Sequence, residues 1–329
     1  MFQPHQRLQP IPGATVRVVT GIGLGLAMIL LGGTKALPAA AQAQIPQTTI
    51  RAEVPLVNII FSALERDNRP VPGLTMDDFL VFEDRKPQKI EYFSQLTEGS
   101  EIPLTIALLI DTSGSVRTKL DDEKQTAAEF LRSILRKSKD EALIIQFDSE
   151  VRLVQDFTDD TERLVRALNS LEAGNSTSLY DAIYLAVEEK LKGEVGRKVI
   201  VAITDGDDTA SKLKKEDAIE AAQRSDVLIY GIGVRSREFG ANFGVLKRFA
   251  EETGGGFFSP QARMTEIQSA FKAIGEELKG QYSLAYTPEN RANDGTFRAV
   301  EIRCKRKGIR VRARRGYYAP NSNSLKAAP

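Results

Sequence analysis

The chain has 329 residues, of which 42% are apolar, and its 45 Lys and Arg residues nearly cancel its 44 Asp and Glu residues. This composition excludes a wholly disordered chain, and it leaves no net field that would attract nucleic acid, so we expect no nucleic-acid partner. The single histidine, His5, and the single cysteine, Cys304, exclude an intrachain disulfide, zinc sites built from several His or Cys, and Ser-His-Asp or Cys-His catalysis.

Residues 1–43 have the layout of a secretory signal peptide. Arginines precede an apolar run over residues 18–31, and the small residues ALPAAAQAQ follow it. This order predicts export with cleavage after Ala41 or Ala43. The alternative is an uncleaved membrane anchor, although the run is slightly short for a full span. In both cases we expect a periplasmic, secreted or cell-surface protein.

Residues 44–102 consist of short alternating runs separated by turn residues. The segments VPLVNIIFSAL, DFLVFED and KIEYFS each read as a strand, and RDNRPVPGL and RKPQ read as the turns between them. The spacing of the apolar residues is close to two, which excludes helices. The region is therefore predicted to be a small antiparallel β region.

Residues 103–279 alternate between apolar runs and amphipathic helical stretches. The runs LTIALLI, EALIIQF, RKVIVAIT and DVLIYGIGV are apolar on both sides of a strand, as in a parallel sheet covered on both faces. The helical spacing predicts helices over residues 119–135, 161–171, 179–191, 214–224, 244–252 and 265–278. The sequence thus predicts an α/β domain with a doubly wound, mostly parallel sheet.

Residues 280–319 return to strand alternation in QYSLAYTP, TFRAVEIRC and IRVRARRGYY. The last two segments are predicted to form a hairpin around KRKG, with one apolar and one basic face. We expect the basic face, from Arg303 to Arg315, to be solvated, and an anion-binding patch is the alternative. Each flanking region is too small to bury a core alone, so we predict that both form one β-sandwich into which the α/β domain is inserted. Residues 320–329 are predicted to be a disordered tail.

Oxygen-bearing side chains follow two of the predicted central strands. Asp111, Ser113 and Ser115 lie in DTSGSV after one strand, Asp205 follows another, and Thr177 lies in the loop GNSTSLYDAI. Ligands of doubly wound sheets bind at the carboxyl ends of the strands, so we expect these side chains to meet in a crevice open to solvent. Hard divalent cations prefer such oxygen ligands, which favours Mg²⁺, with Mn²⁺ or Ca²⁺ as alternatives.

The predicted donor set leaves the cation open to a further ligand. It provides one oxygen fewer than the octahedron that Mg²⁺ requires, and its two carboxylates only neutralise a dication. A carboxylate of another protein could therefore complete the coordination shell without repulsion. This arrangement favours a protein-binding module.

These residues carry a resemblance to the von Willebrand factor type A family, whose metal-ion-dependent adhesion site combines D-x-S-x-S with a later threonine and an aspartate after a core strand. The resemblance covers residues 103–279, and the flanking segments GLTMDDFLVFEDRKPQKI and RARRGYYAP look like exported bacterial relatives. It implies a Rossmann-like fold and a metal-bridged contact with an Asp or Glu of a partner protein. The implied metal ligands are Asp111, Ser113, Ser115, Thr177 and Asp205, although Ser176 and Ser178 offer hydroxyls beside Thr177.

Other interpretations of these residues stay open at this point. Asp111 and its serines could cap the following helix, and Asp181 could interact with the dipole of the helix that it begins. Asp181 is also a candidate metal ligand, as are Asp207 and Asp208. A metal-dependent hydrolase with Asp207 as base, or a regulatory subunit docked on an ATPase, are the alternative functions. We expect no enzyme, because a histidine base and a GxxxxGKS phosphate loop are both lacking.

Overall fold

The structure is a computed structural model, and it describes residues 56–114, 116–234, 241–260 and 263–321. These residues lie in one compact unit. The predicted signal peptide or membrane anchor and residues 322–329 of the predicted tail lie outside the described residues. Within the described ranges, no helix combines the length and the apolar character needed to cross a membrane.

The secondary structure follows the predicted order of a β region, an α/β region and a second β region. Before residue 103 the strands are β1 (Val57–Leu64), β2 (Phe79–Glu83), β3 (Lys86–Gln88) and β4 (Tyr92–Gln95). The central strands are β5 (Leu104–Asp111), β6 (Glu141–Phe147), β7 (Val151–Thr158), β8 (Arg197–Thr204), β9 (Val227–Gly233) and β10 (Phe257–Phe258). The helices are α1 (Leu120–Ile134), α2 (Thr161–Asn169), α3 (Leu179–Leu185), α4 (Lys215–Arg224), α5 (Phe243–Thr253) and α6 (Met264–Lys279). The last strands are β11 (Tyr282–Tyr286), β12 (Phe297–Cys304), β13 (Arg310–Ala313) and β14 (Gly316–Tyr318).

The central sheet has the strand order β10-β9-β8-β5-β6-β7, and all its pairs are parallel except β6 with β7. Every residue of β5 is buried. Its alternate side chains enter two apolar clusters, one with α1, α2 and α6 and the other with α3, α4 and α5. The predicted doubly wound sheet is confirmed, because a strand that is apolar on both sides needs helices on both faces.

The edge strand β7 was not predicted from the sequence. It runs antiparallel to β6, and the register shifts twice along the pair. Most of its side chains are only half-buried, and they follow no strict alternation along the strand. Without that alternation, a sequence offers little to mark an edge strand.

The two flanking regions together form two four-stranded sheets that face each other. One sheet has the order β13-β1-β11-β4 and the other β14-β12-β2-β3, so each sheet takes strands from both regions. An aromatic cluster fills the space between them, with ring centroids 5.0 Å apart for Phe61 and Phe79 and 5.6 Å apart for Phe61 and Tyr282. Neither region could bury this cluster alone, which is the physical reason for the predicted sandwich.

The predicted hairpin of the last two long segments is wrong. Strand β12 pairs with β2 and β14, whereas β13 pairs with β1 in the opposite sheet. The KRKG turn therefore carries the chain across the sandwich. Both strands still direct apolar side chains, such as Ile302 and Val311, toward the shared core, so their alternation was read correctly while their pairing was not.

The predicted solvated basic face is also wrong for Arg312, the last arginine of β13, and for Arg314, which follows that strand. Arg312 is bonded to the buried Glu277 of α6, and Arg314 to Asp226 before β9. Arg315 is exposed, as expected, and donates to Glu251 of α5 at 3.3 Å. These side chains join the sandwich to the α/β region. Arg303, in contrast, pairs with its exposed neighbour Glu301.

The end of the described chain is held by backbone pairing. Gly295 donates its N–H to the Pro320 carbonyl at 3.1 Å, and Asp294 and Asn321 form an antiparallel bridge. The first two residues of the predicted disordered tail are therefore attached to the sandwich.

The entry into β5 is held by one arginine just after α1. The Arg136 guanidinium binds both carboxylate oxygens of Asp140 at 2.6 and 2.7 Å. It also donates to the carbonyls of Glu98, Ser100 and Ile102 in the segment that leads from the sandwich. Asp140 in turn accepts the N–H of Leu104, the first residue of β5, at 2.9 Å.

We expect Arg136→Met to lower the free energy of unfolding by about 3 kcal/mol, because it leaves the buried Asp140 charge without its partner. Arg132→Met, one turn earlier at the end of α1, is the matched control. Its pair with Glu162 is exposed, at 46% and 61% of the two side chains, and should contribute less than about 1 kcal/mol. Urea denaturation of the three proteins measures both values, and equal losses would contradict this role of Arg136.

Candidate metal centre

The predicted site residues emerge from neighbouring strands at one edge of the central sheet. Strands β5 and β8 are parallel, with Ile110 opposite Ile203. Asp111, the last residue of β5, therefore lies beside Thr204, the last residue of β8, and Asp205 follows immediately. The register alone brings two carboxylates to the same place.

Asp111 is fully buried, at 0% exposure. Its Oδ1 accepts the Ser113 N–H at 2.8 Å, and its Oδ2 accepts the Thr204 hydroxyl at 2.6 Å. Burial raises the pKa of Asp111 to about 7 against the effect of these hydrogen bonds, and the nearby charge of Asp205 adds to the rise. The expected solvent-open position of Asp111 is thus wrong.

The cover over Asp111 comes from the loop that carries the threonine. Gly174 donates its N–H to the Thr112 carbonyl at 2.6 Å, and Gly114 donates to the Asn175 carbonyl at 3.1 Å. These bonds join two loops that are about 60 residues apart in the chain. A contact between such distant segments cannot be predicted from the pattern of neighbouring residues.

Asp205 has one satisfied and one unsatisfied oxygen. Its Oδ1 accepts the Asp207 N–H at 3.2 Å. Its Oδ2 is buried and has no hydrogen-bond partner among the described residues. A buried carboxylate oxygen without a partner is costly, whereas a cation at this point would satisfy it. The residues present therefore fit a bound divalent cation.

Thr177 is held against the loop that follows Asp205. Its N–H donates to the Thr209 hydroxyl at 3.0 Å, and its carbonyl accepts the N–H groups of Thr209 and Ala210, both at 2.9 Å. The neighbouring Ser178 hydroxyl donates to the Ser149 carbonyl at 3.4 Å. This use of Ser178 supports Thr177 as the hydroxyl that belongs to the site.

The structure thus brings Asp111, Ser113, Thr177 and Asp205 to one sheet edge, where Ser113 and Thr177 are buried with the two carboxylates. Ser115 lies outside the described residues. Across residues 56–114, 116–234, 241–260 and 263–321, no three His, Cys, Asp or Glu side chains are grouped so that they could hold a metal ion. A cation here would depend on hydroxyl oxygens as well as carboxylates, and the metal role of all five residues stays a prediction.

The competing structural roles can now be assigned. Lys119 is the N-cap of α1, so Asp111 does not cap that helix. Asp181 accepts the N–H groups of Lys212 and Leu213, and its carboxylate attaches α3 to the loop before α4. Asp208 accepts the Ser211 hydroxyl at 2.6 Å and the Tyr180 N–H at 3.2 Å. Both carboxylates hold backbone in place.

Two functional candidates were missed from the sequence. Thr204 ends an apolar strand, and this polar residue just before Asp205 was the available signal. Glu123 falls on the apolar stripe of α1 with Leu120 and Ala127, where a carboxylate is out of place. Glu123 has 0% exposure, and neither of its carboxyl oxygens has a hydrogen-bond partner among the described residues.

The sequence profile of the von Willebrand factor type A domain matches residues 105–273. The chain belongs to this family. Domains of the von Willebrand factor type A family act as adhesion and protein-interaction modules. The match includes every predicted metal position and both strands that deliver the carboxylates.

The chain is also similar to individual proteins. An uncharacterized protein of Borreliella burgdorferi is 25% identical over 153 residues, and the match covers 45% of this chain and 45% of that relative, less than half of its length. Proximal thread matrix protein 1 from the mussel byssus, described with a zinc-occupied MIDAS motif, is 15% identical with a TM-score of 0.50 over 60% of this chain and 50% of that one. BatB from Bacteroides thetaiotaomicron is 18% identical with a TM-score of 0.45 over 54% of this chain and 100% of that one.

The turn after Asp205 depends on one glycine. Gly206 has a φ of +82°, and a Cβ added to it would lie 2.5 Å from the Asn242 carbonyl oxygen. Asn242 itself donates its N–H to the Asp205 carbonyl at 2.9 Å. The start of α5 is therefore packed directly against the turn that presents Asp205.

We expect Gly206→Ala to lower the free energy of unfolding by about 2 kcal/mol, since alanine meets both the positive φ and the backbone of Asn242. Gly193→Ala is the control, because nothing lies within 4 Å of the Cβ position at Gly193. Thermal unfolding in metal-free buffer compares the two variants. If both were as stable as the wild type, the close packing around Gly206 would be wrong.

Proposed function

We propose that this protein is an extracytoplasmic binding module that holds a divalent cation and uses it to engage a carboxylate of a partner protein. The cation is held by Asp111, Ser113, Ser115, Thr177 and Asp205. One observation carries the proposal: Asp205 has a buried oxygen with no hydrogen-bond partner among the described residues, beside a second buried carboxylate. Two such groups repel each other unless a positive charge separates them.

The chemistry of the donor set favours Mg²⁺ or Mn²⁺. Carboxylate and hydroxyl oxygens are hard ligands, and five of them leave a six-coordinate ion with a position for one more oxygen. Ca²⁺ takes six to eight oxygens and suits this small set less well. When bound, the cation supplies a positive charge and an exchangeable coordination position. The chain's own residues hold it and exclude water from beneath it.

Binding accounts for this site better than catalysis does. The sole histidine of the chain is His5, so a general base would have to be a carboxylate. Asp181 and Asp208 are engaged in holding backbone N–H groups. Asp207 is the remaining candidate, and because burial and the charge of Asp205 raise its pKa, a hydrolase that uses Asp207 as base stays the alternative function. The roles of Asp181 and Asp208 support a rigid binding edge, and we propose that the protein is not an enzyme.

Two further observations support the proposal. The layout of residues 1–43 is typical of export, which supports a partner outside the cytoplasm. The mussel byssus protein with the same fold is described with zinc in its MIDAS motif, in line with a divalent cation at this sheet edge. An extracytoplasmic setting also disfavours a regulatory subunit of a cytoplasmic ATPase.

Bound metal should stabilise the folded protein, because the ligands are brought together only by folding. At a hundredfold excess of Mn²⁺ over its dissociation constant, we expect a gain of about 2.7 kcal/mol relative to chelator. Asp205→Asn should abolish this gain. Glu150→Gln, which removes an exposed carboxylate from a nearby loop, should keep it. Superimposable wild-type melting curves with Mn²⁺ and with chelator would refute the metal site.

The open coordination position should accept a carboxylate from outside. The relaxation rate of water protons in a solution of the Mn²⁺-loaded protein should fall when a short glutamate peptide displaces a metal-bound water. The matched glutamine peptide should leave this rate unchanged. Asp111→Asn, which preserves the shape of the buried side chain, should remove both Mn²⁺ binding and the response. Equal responses to the two peptides, or none, would show that the cation does not receive the partner's carboxylate.

A further inference from the structure

Glu123 lies in the first turn of α1, the helix that follows the DTSGSV loop. Its side chain is fully buried, and both carboxyl oxygens have no hydrogen-bond partner among the described residues. The opposite face of the helix was available, since Asp121 in the same turn has a fully exposed side chain at 100%. A carboxyl group in this position therefore needs an explanation.

Other buried acids in the described chain have partners. Glu277 is bonded to Arg312, Asp140 to Arg136, and Glu83 accepts the hydroxyls of Tyr286 and Tyr317 at 2.8 Å. Among the described residues, buried carboxyl oxygens without a partner belong to Glu123 and Asp205 alone. An isolated polar group of this kind costs several kcal/mol, so two such groups in one region indicate a shared missing partner.

Backbone hydrogen bonds connect the start of α1 to the metal-site loop. The N–H of Glu123 donates to the Lys119 carbonyl at 2.9 Å, that of Lys119 to the Val116 carbonyl at 2.8 Å, and that of Val116 to the Ser113 carbonyl at 3.3 Å. Burial raises the pKa of Glu123 well above its usual range, and the charges of Asp111, Asp122 and Asp205 raise it further. Asp111 and Asp205 are the two carboxylates of the candidate metal site. Glu123 therefore follows the metal-site loop by two hydrogen-bonded turns, and the charges of the two site aspartates act on its buried carboxyl group.

We propose that Glu123 is an outer-sphere carboxylate of the metal site, which accepts hydrogen bonds from the water and hydroxyl groups that coordinate the cation. The inference rests on the proposed function and extends it beyond the five predicted ligands. Groups that orient metal ligands typically change metal affinity by 10- to 100-fold when they are removed. Glu123 is thus a positioning residue, and its carboxylate increases the affinity for the dication.

The test is Mn²⁺ binding to the full chain. It is measured by titration calorimetry and by the electron paramagnetic resonance signal of free Mn²⁺. Glu123→Gln keeps the shape of the side chain and removes its charge, and we expect it to weaken Mn²⁺ binding about 10- to 100-fold. Asp121→Asn is the matched control, because it removes the same charge from the same helical turn at an exposed position, and its affinity should stay at the wild-type value.

Glu123→Leu provides a second, independent measurement. It replaces a buried carboxyl group with an apolar side chain among apolar neighbours, so in chelator it should melt above the wild type while binding Mn²⁺ more weakly. If Glu123 merely filled space in the core, both variants would bind Mn²⁺ as tightly as the wild type, and the inference would be overturned while the metal site stood. A wild type that bound no Mn²⁺ would overturn the metal site and this inference together.

Discussion

Like charges in the interior of a protein repel strongly, because little water is present to screen them. Asp111 and Asp205 are nonetheless brought to one buried sheet edge by the parallel register of β5 and β8. Thr204 offsets part of the repulsion through its hydrogen bond to Asp111. A bound cation would balance the remaining charge, and this role underlies both the proposed function and the proposed role of Glu123.

Hydrogen bonds connect the loops around the two aspartates to one another. The segment after β5 is bonded to the Gly174–Asn175 region, and Thr177 is bonded to the loop after β8. Asp181 and Asp208, which could be taken for metal ligands, instead join α3 to the loop before α4 through backbone N–H groups. A site arranged in this way is preorganised, so a binding cation or partner has little conformational entropy to remove.

The β-sandwich is coupled to the α/β region rather than attached by flexible linkers. Arg136 donates to carbonyl groups of the segment that leads from the sandwich into β5. At the end of the chain, Arg312 and Arg314 bind acidic residues of the α/β region. Burial lowers the pKa of Arg314 to about 10, yet the group stays charged at neutral pH. Side chains that looked like a solvated basic face in the sequence are therefore part of an internal interface.

The sequence by itself determined the parallel sheet, its helical cover and the placement of Asp111, Thr177 and Asp205 at strand ends and in the connecting loop, because apolar periodicity and turn chemistry act over a few neighbouring residues. Tertiary structure decided which strands pair, since β12 and β13 have the same alternation but lie in opposite sheets. It also decided the burial of Asp111 and left the buried Glu123 carboxyl group with no hydrogen-bond partner among the described residues. Both depend on contacts between segments far apart in the chain, and no local pattern records the distance between two such segments once the chain has folded.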